Sequence, residues 1–188
     1  APNPVLSQSS KRISKVDSRI NKIIGEMEKA LLSAKDPIGV GLAASQVGKS
    51  LQIFIAKPTL KSPIKIFINP KIIQKTNISH LTTTRDRIQQ LNTSSSKKSE
   101  GTKLEGCLSL PNIWGKVERK PSIKISYSNE NGKKYTKEFN GFMATIIQHE
   151  MDHLQGVLFP KRVLEQKGTL YKSHKNEKGE DIFEEIEI

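Results

Sequence analysis

The chain has 188 residues, which is the length of one domain, and its 35% hydrophobic content is enough to bury a core. No apolar run reaches the ~18 residues that a transmembrane helix needs, so no transmembrane helix is expected. There is one cysteine, Cys107, which excludes an intrachain disulfide and is typical of a reducing compartment.

The net charge of +12 is spread unevenly along the chain. Acidic residues are concentrated near the C-terminus, namely Glu177, Glu180, Asp181, Glu184, Glu185 and Glu187. The remainder is therefore more basic than the total indicates, which favours contact with polyanions such as RNA or with anionic membranes. Solvated lysines would give the same composition, and no basic motif with interleaved aromatic residues, typical of a nucleic-acid-binding module, is present.

An arm and a helix are predicted at the start of the chain. Residues 1–10 are punctuated by proline and predict an extended arm. Apolar residues recur at helical spacing over residues 17–34, where Ser14 or Asp17 could cap the helix and Pro37 ends it.

Two strands and a long polar segment are predicted next. Residues 51–55 and 64–68 are β-type runs, and the second ends at Asn69-Pro70. Residues 74–103 are rich in polar side chains and predict a mobile surface loop, with a short helix near residues 85–91.

The second half of the chain predicts further strands and a central helix. Residues 123–127 and 134–139 form a hairpin, with turn residues at 129–132, and the segment 104–111 precedes them. The helix follows at residues 141–154.

Gly156 marks the C-terminal end of this helix, and residues 168–188 predict a strand or hairpin tail. Residues 1–188 are thus expected to form one α+β domain. Antiparallel or mixed β-sheets pack around the central helix, and another helix lies near the N-terminus.

The central helix carries the pattern His-Glu-x-x-His. Residues four apart on an α-helix project from one face, so His149 and His153 can offer two imidazoles to one metal ion. Glu150 lies where its carboxylate can reach a water bound to that metal. The apolar residues 142–147 favour a buried helix, which would hold its ligands rigidly. Two surface histidines on a helix are the alternative interpretation.

A catalytic metal site of this kind needs a third protein ligand, and two residues are candidates. Glu165 is the only nearby downstream glutamate, which a gluzincin-type peptidase would use. Cys107 follows Gly106, which permits close backbone approach, and a thiolate is a strong ligand for Fe(II) or Zn. An inert buried thiol is the alternative for Cys107.

Three segments together resemble the signature motifs of the peptide deformylase family, in the order in which that family carries them. They are residues 39–46, 105–109 and 148–153. Residues 2–6 are similar to the family's N-terminal Pro-x-Pro-x-Leu segment, and Asn69-Pro70 to the Asn-Pro that precedes its cysteine motif. The resemblance therefore extends over most of the chain.

The resemblance implies that Cys107, His149 and His153 are the ligands of one divalent metal ion, with water in the fourth position. In this family the metal is typically Fe(II), whereas Ni and Co are robust substitutes and Zn is usually less active. The expected cofactor is therefore one ion per chain, Fe(II) in the cell and Ni, Co or Zn in purified protein.

The resemblance also implies the catalytic residues. Glu150 resembles the general base that takes the proton of the water and passes it to the leaving amine. Gln46 and the backbone N–H of Leu108 resemble the pair that stabilises the oxyanion. For Gln46 the alternative is a structural amide that ties its loop to the helix.

Six residues are implied to bind the substrate. Val40, Gly41 and Gly106 would hydrogen-bond the peptide backbone in strand-like fashion, and Phe142, Thr145 and Ile146 would line the methionine pocket. For the last three, core packing is the alternative. Trp114 is expected to cover the side where the substrate leaves.

Three further residues are expected to support the site. Gln148 could orient a metal ligand, and Asp152 could do the same or pair with Arg119. The family resemblance supports an arginine at that spacing after the cysteine. A solvated position on the helix is the alternative for Asp152.

The resemblance implies a hydrolase that removes the N-formyl group from the N-terminal formylmethionine of new polypeptides and releases formate. Its partners would be nascent chains and, transiently, the ribosome. No contact with a membrane is expected, and the protein is expected to be a monomer. The expected location is the cytoplasm. The chain begins at Ala1 rather than methionine, so an organelle matrix after removal of a targeting peptide is the alternative.

Two features depart from the family pattern. Leu104 lies where many members carry a further acidic residue, and residues 74–103 are longer than the usual connection. Both concern substrate reach rather than the reaction. The competing hypotheses are a His-Glu-x-x-His metallopeptidase and a basic RNA-binding protein with a structural metal, although an intact Glu150 argues against a purely structural site.

Overall fold

The computed structural model describes residues 3–76 and 104–187, and within them two antiparallel sheets, three α-helices and two short 3-10 helices form an α+β fold. The predicted fold class is therefore confirmed. The predicted loop 74–103 is wrong over residues 74–76, which end a strand, and its remainder, including the short helix near residues 85–91, lies outside the described residues.

The N-terminal helix, α1, spans Ser18–Ser33 and agrees with the predicted segment. Asp17 caps it rather than Ser14, because a side-chain oxygen of Asp17 accepts a hydrogen bond of 3.0 Å from the backbone N–H of Ile20. One face of the helix is buried, namely Ile20, Ile23, Ile24, Met27 and Leu31.

The predicted extended arm is wrong over Pro4–Ser7, which forms a 3-10 helix. Proline at the first position fixes φ for helical geometry, and the side chain of Asn3 accepts a hydrogen bond from the N–H of Val5. Leu6 is buried as a result.

The larger sheet contains five strands in the order β1-β2-β3-β6-β7. Their bounds are Gly41–Ala43 (β1), Ile53–Ala56 (β2), Lys65–Thr76 (β3), Ser122–Ser128 (β6) and Lys134–Asn140 (β7). The predicted hairpin of residues 123–139 is thereby confirmed as β6–β7.

The prediction that the strand ends at Asn69-Pro70 is wrong, because β3 continues to Thr76. The chain bulges there instead: Asn69 has a φ of 49° and the pairing with β6 shifts between Ile68 and Lys71. A bulge tolerates proline within a strand, since the missing N–H is not needed for the ladder. The side chain of Asn69 bonds both backbone groups of Ile13.

The smaller sheet contains four strands in the order β4-β5-β8-β9. Their bounds are Glu105–Cys107 (β4), Leu110–Gly115 (β5), Leu170–Lys175 (β8) and Asp181–Glu185 (β9). The strands β8 and β9 form the predicted tail hairpin.

The central helix, α2, spans Gly141–Leu154, as predicted, and Gly156 follows with a φ of 69°. A side chain at Gly156 would lie 2.6 Å from the backbone of Ser7, so this position requires glycine for space as well as for conformation. A third helix, α3, spans Phe159–Glu165 and packs Phe159 and Val163 against the smaller sheet.

Buried residues of α2 face the larger sheet, where Ala144 and Ile147 contact a cluster that contains Phe54 and Phe67. The helix is thus packed against the larger sheet. None of the helices within residues 3–76 and 104–187 is both long and apolar enough to cross a membrane.

Candidate metal centre and adjoining cavity

The structure brings Cys107, His149 and His153 together. Their potential ligand atoms all lie within 4.8 Å of one another. The two histidines come from successive turns of α2, and the cysteine comes from the end of β4. A shift in the pairing of β4 with β5 places Cys107 opposite Leu110 and turns the strand at this point.

Glu165, the alternative third ligand, lies elsewhere. Its side chain is 46% exposed at the end of α3, and its carboxylate accepts a hydrogen bond of 2.9 Å from Arg162. The geometry therefore favours Cys107 as the third ligand and gives no support to a gluzincin-type arrangement.

Glu105 is a member of the site to which sequence reasoning assigned no role. Its carboxylate lies 3.1 Å from Nδ1 of His149, which leaves Nε2 of that histidine directed to the other ligands. Burial opposes ionisation of Glu105, but hydrogen bonds from Arg119 and His149 outweigh it and hold the pKa of Glu105 below its ordinary value. The sequence carried one signal for this role: Glu105 lies two residues before Cys107, and residues two apart in a strand lie on the same side.

His149 lies among negatively charged groups. Burial lowers the pKa of His149, but contacts with Cys107 and Glu105 outweigh burial, so the pKa rises to about 10. Glu150 adds to this effect through its charge. The surroundings of His149 therefore stabilise a positive charge, which can be a proton or a metal cation.

His153 has the opposite character. Burial and the neighbouring His149 lower the pKa of His153 to about 3, so its imidazole is neutral. Nε2 of His153 lies 3.2 Å from Sγ of Cys107, whereas Nδ1 is buried without a hydrogen-bond partner within the described part of the chain. Histidine binds a metal in this neutral form, and the neighbouring thiol of Cys107 offers a second ligand atom.

The donor set fits a divalent transition metal. One thiolate and two imidazoles match the ligands that Fe(II), Zn, Ni and Co prefer, and three protein ligands leave a position open in a tetrahedral site. The excess of negative groups around His149 would offset the charge of such an ion.

Glu150 is buried beside this group. Burial raises the pKa of Glu150 to about 7, so its carboxyl can gain or lose a proton near neutral pH. One carboxylate oxygen has no hydrogen-bond partner among the described residues. A side chain at Gly41 would lie 2.9 Å from Cδ of Glu150, so the glycine makes room for this carboxyl.

Gln46 lies across the site from α2. Its Oε1 accepts a hydrogen bond of 2.8 Å from the N–H of Ala43, and its Nε2 donates to Oγ of Ser109 at 3.0 Å. The same Nε2 lies 3.6 Å from Sγ of Cys107. The amide therefore both fixes its own loop and places an N–H donor beside the cysteine.

A network of buried ion pairs adjoins the candidate metal centre, which it reaches through Glu105. Arg119 donates two hydrogen bonds to Glu105, at 2.8 and 2.9 Å, and one of 2.6 Å to Asp152. Arg162 completes the network by donating to Asp152 at 2.7 Å. The predicted pairing of Asp152 with Arg119 is confirmed.

Gln148 has a structural role in the helix. It hydrogen-bonds the N–H and the carbonyl of Lys120 and the carbonyl of Ala144. These bonds hold the chain after Arg119 against α2. None of these three bonds reaches a candidate metal ligand.

A cavity of about 240 Å³ opens beside the centre. Eleven of the twelve residues predicted for the site line it: Val40, Gly41, Gln46, Gly106, Cys107, Leu108, Phe142, Thr145, Ile146, His149 and Glu150. The twelfth, His153, is buried behind them. Trp114 also lines the cavity, and Gly106 leaves space for it, because a side chain there would lie 2.8 Å from the indole ring.

Comparison with known protein families gives a match over most of the chain. A family model described as polypeptide deformylase matches residues 1–168. The peptide deformylase of Brucella suis is 37% identical over 161 residues, which cover 84% of this chain and 78% of that protein. Peptide deformylase 1 of Bacillus cereus is 36% identical over 162 residues, which cover 86% of this chain and 88% of that protein.

Solved structures agree with these relatives. The crystal structure of a peptide deformylase from Synechococcus elongatus in complex with actinonin is similar with a TM-score of 0.68 and 35% identity, covering 86% of this chain and 74% of that one. A peptide deformylase from Thermotoga maritima is similar with a TM-score of 0.67 and 32% identity, covering 85% and 91%.

Proposed function

Because the chain belongs to the polypeptide deformylase family, we propose that it is a metal-dependent hydrolase that removes the formyl group from N-terminal formylmethionine and releases formate. The observation that carries the proposal is the meeting of Cys107, His149 and His153 beside Glu150 at the cavity wall. Newly synthesised polypeptides that begin with formylmethionine are the proposed substrates.

Cys107, His149 and His153 would hold the metal. When bound, a divalent ion acts as a Lewis acid that activates water at neutral pH. We assign Fe(II) to the protein in the cell because a thiolate with two imidazoles suits it, and Ni or Co would substitute in purified protein. Glu105 would orient the ring of His149 through its Nδ1.

Glu150 would manage the proton. Its buried carboxyl has a pKa near 7, so it can accept a proton from the attacking water and give it to the departing amine. The space at Gly41 lets this carboxyl approach the cavity closely. The products are formate and a free N-terminal amine.

Two donors would stabilise the charge on the formyl oxygen. Nε2 of Gln46 lies near Cys107, and Leu108 follows that cysteine directly in the wall of the cavity. The side-chain N–H of Gln46 would exchange its bond to Ser109 for one to the oxyanion, and the backbone N–H of Leu108 would be the second donor.

The cavity would bind the methionine side chain. Its volume of about 240 Å³ suits one side chain, whereas larger ligands need about 300–1,000 Å³. Phe142, Thr145 and Ile146 would contact this side chain from α2. Val40, Gly41 and Gly106 would bond the peptide backbone.

A basic groove on another part of the surface supports transient contact with the ribosome. The groove has a volume of about 780 Å³, and Arg12, Lys15 and Lys134 line it together with the hydroxyl groups of serine, threonine and tyrosine. No acidic residue is among the described residues that line it. Such a surface favours ribosomal RNA, and binding should weaken as salt rises.

We further propose a monomer that acts in the cytoplasm.

The experiment that tests the proposed activity measures formate release from a short formyl-methionyl peptide. The protein is purified without oxygen and reconstituted with Fe(II) or Ni(II), because an iron–thiolate site is prone to oxidation. We expect stoichiometric formate and deformylated peptide, and inhibition by actinonin, the compound bound to the Synechococcus enzyme. Cleavage of an internal peptide bond without formate would instead support the peptidase hypothesis.

A further inference from the structure

The C-terminal hairpin β8–β9 extends the wall of the cavity. Trp114, which lines the cavity, lies opposite Tyr171 of β8, and its indole N–H donates a hydrogen bond of 2.9 Å to Oγ of Ser173. The hairpin lies beyond residue 168, where the match to the family model ends. A segment outside the matched region is therefore joined to the candidate active site.

Phe183 continues this wall. It pairs with Ser173 across the hairpin, so both side chains lie on the face of the sheet that carries Trp114. The rings of Phe183 and Trp114 meet edge to face, with centroids 5.9 Å apart. Phe183 is nevertheless 43% exposed, so much of its apolar surface is available for another contact.

Exposed apolar side chains also occur on other sides of the cavity. Ile38 and Phe142 line the cavity and are 53% and 49% exposed. The tail approaches the segment of Ile38, because Nζ of Lys175 lies 3.9 Å from the carboxylate of Asp36. Exposed apolar groups gathered around one opening are typical of a binding site.

Glu185 adds charge to the same face. It pairs with Tyr171, which pairs with Trp114, so it lies two strands from the indole, about 10 Å at the usual strand spacing. Its carboxylate has no ion-pair partner within residues 3–76 and 104–187. By contrast, Glu184 points to the opposite face, 3.8 Å from His174.

We propose that Phe183, with Trp114, forms an extension of the peptide-binding cleft that contacts the substrate downstream of its formylmethionine, and that Glu185 favours basic side chains there. The proposal rests on the proposed function. An extended chain advances about 3.3 Å per residue, so residues about three to five of the substrate would reach this surface. The aromatic contact raises affinity for longer peptides, and the carboxylate selects among them by charge.

The test compares three substrates of the metal-reconstituted full chain: formyl-Met-Ala, formyl-Met-Ala-Ser-Lys-Lys-Ala and formyl-Met-Ala-Ser-Glu-Glu-Ala. We expect Phe183→Ala to raise KM for the lysine hexapeptide about fivefold without a change in kcat. Both kcat and KM for the dipeptide should stay as in the parent chain. Glu185→Lys should reverse a preference of about fivefold for the lysine over the glutamate hexapeptide.

Two neighbours serve as matched controls on the opposite face of the same strand. Ile182→Ala removes a side chain that is 40% exposed, and Glu184→Lys makes the same charge change as Glu185→Lys. Thermal melting checks that all four variants fold. Equal effects of each variant and its control, or an equal loss on the dipeptide, would overturn the extended cleft while leaving deformylation intact. Failure of the parent chain to release formate from any of the three peptides would overturn both proposals.

Discussion

Ion pairs of similar length occur in two regions that differ in burial. Beneath the candidate metal centre, Arg119 lies 2.8 Å from Glu105 and 2.6 Å from Asp152, and the three side chains are only 9–11% exposed. In the C-terminal hairpin, Lys175 lies 2.9 Å from Asp181, but these side chains are about half exposed. The distances between the charged atoms therefore do not distinguish the two regions, whereas the exposure of the side chains to solvent does.

The difference has opposite consequences for stability and for binding. In the buried network Arg119, Glu105 and Asp152 have lost most of their water, so removal of one of the three leaves a buried charge that is only partly compensated. In the hairpin, water and salt screen the pairs, so they contribute little to stability and can exchange for contacts with a ligand. The buried network therefore fixes the positions of His149 and α2, whereas the hairpin is suited to recognition.

The largest effect is expected when the central cation of the buried network is removed. Arg119→Met removes the partner that Glu105 and Asp152 share, so that Glu105 keeps only His149 and Asp152 keeps only Arg162. We expect the free energy of unfolding, measured by urea at pH 7, to fall by about 3–5 kcal/mol. Lys175→Met is the control in the exposed region and should leave the urea midpoint unchanged. Similar losses in both variants would contradict the difference between the regions.

A second effect concerns the metal site above the network. Glu105→Gln keeps the shape of the side chain but removes the charge that faces Nδ1 of His149. We expect the affinity for Ni(II), measured by competition with a chelator, to fall about 10–100-fold. Glu184→Gln, in the exposed hairpin, should leave that affinity unchanged. An unchanged affinity in Glu105→Gln would mean that the network does not act on the ligand.

A smaller effect is expected from acid. Hydrogen bonds from arginine outweigh burial and hold the pKa values of Glu105 and Asp152 below their ordinary values of 4.5 and 3.8. Their contribution to stability is therefore fully present above about pH 4.5 and is lost as the pH falls through the lowered values.

The unfolding free energy of the parent chain, measured in urea titrations, should therefore stay level from pH 7 to 5.5 and fall below about pH 4.5. Without the arginine, burial dominates and the pKa values of the two carboxyls rise, so Arg119→Met should lose less stability than the parent chain as the pH falls. Equal losses in the two chains would show that other groups are responsible.

Local features of the chain could be predicted from sequence. The cap at Asp17, the hairpin turn at residues 129–132 and the helix that ends before Gly156 depend on neighbouring residues, and each is confirmed. The two histidines of α2 share a face because of helical spacing alone. Their meeting with Cys107 was implied by the resemblance, since 42 residues separate Cys107 from His149 and spacing cannot join them.

Features that depend on tertiary contacts were missed. The helix α3 has seven residues, too few for a periodic pattern, and it is stabilised by burial of Phe159 and Val163. The strand β3 passes Pro70 because a bulge and the bonds of Asn69 accommodate it. Gly106 is needed because the ring of Trp114 packs over it.

We propose above all that Glu150 carries out proton transfer beside a metal held by Cys107, His149 and His153. The most direct measurement is formate release by Glu150→Gln, with metal content determined on the same sample. We predict one metal ion per chain, as in the parent chain, and a rate of formate release lower by about 10³-fold or more. A metal-loaded Glu150→Gln chain that releases formate at the parent rate would show that Glu150 does not carry out the proton transfer.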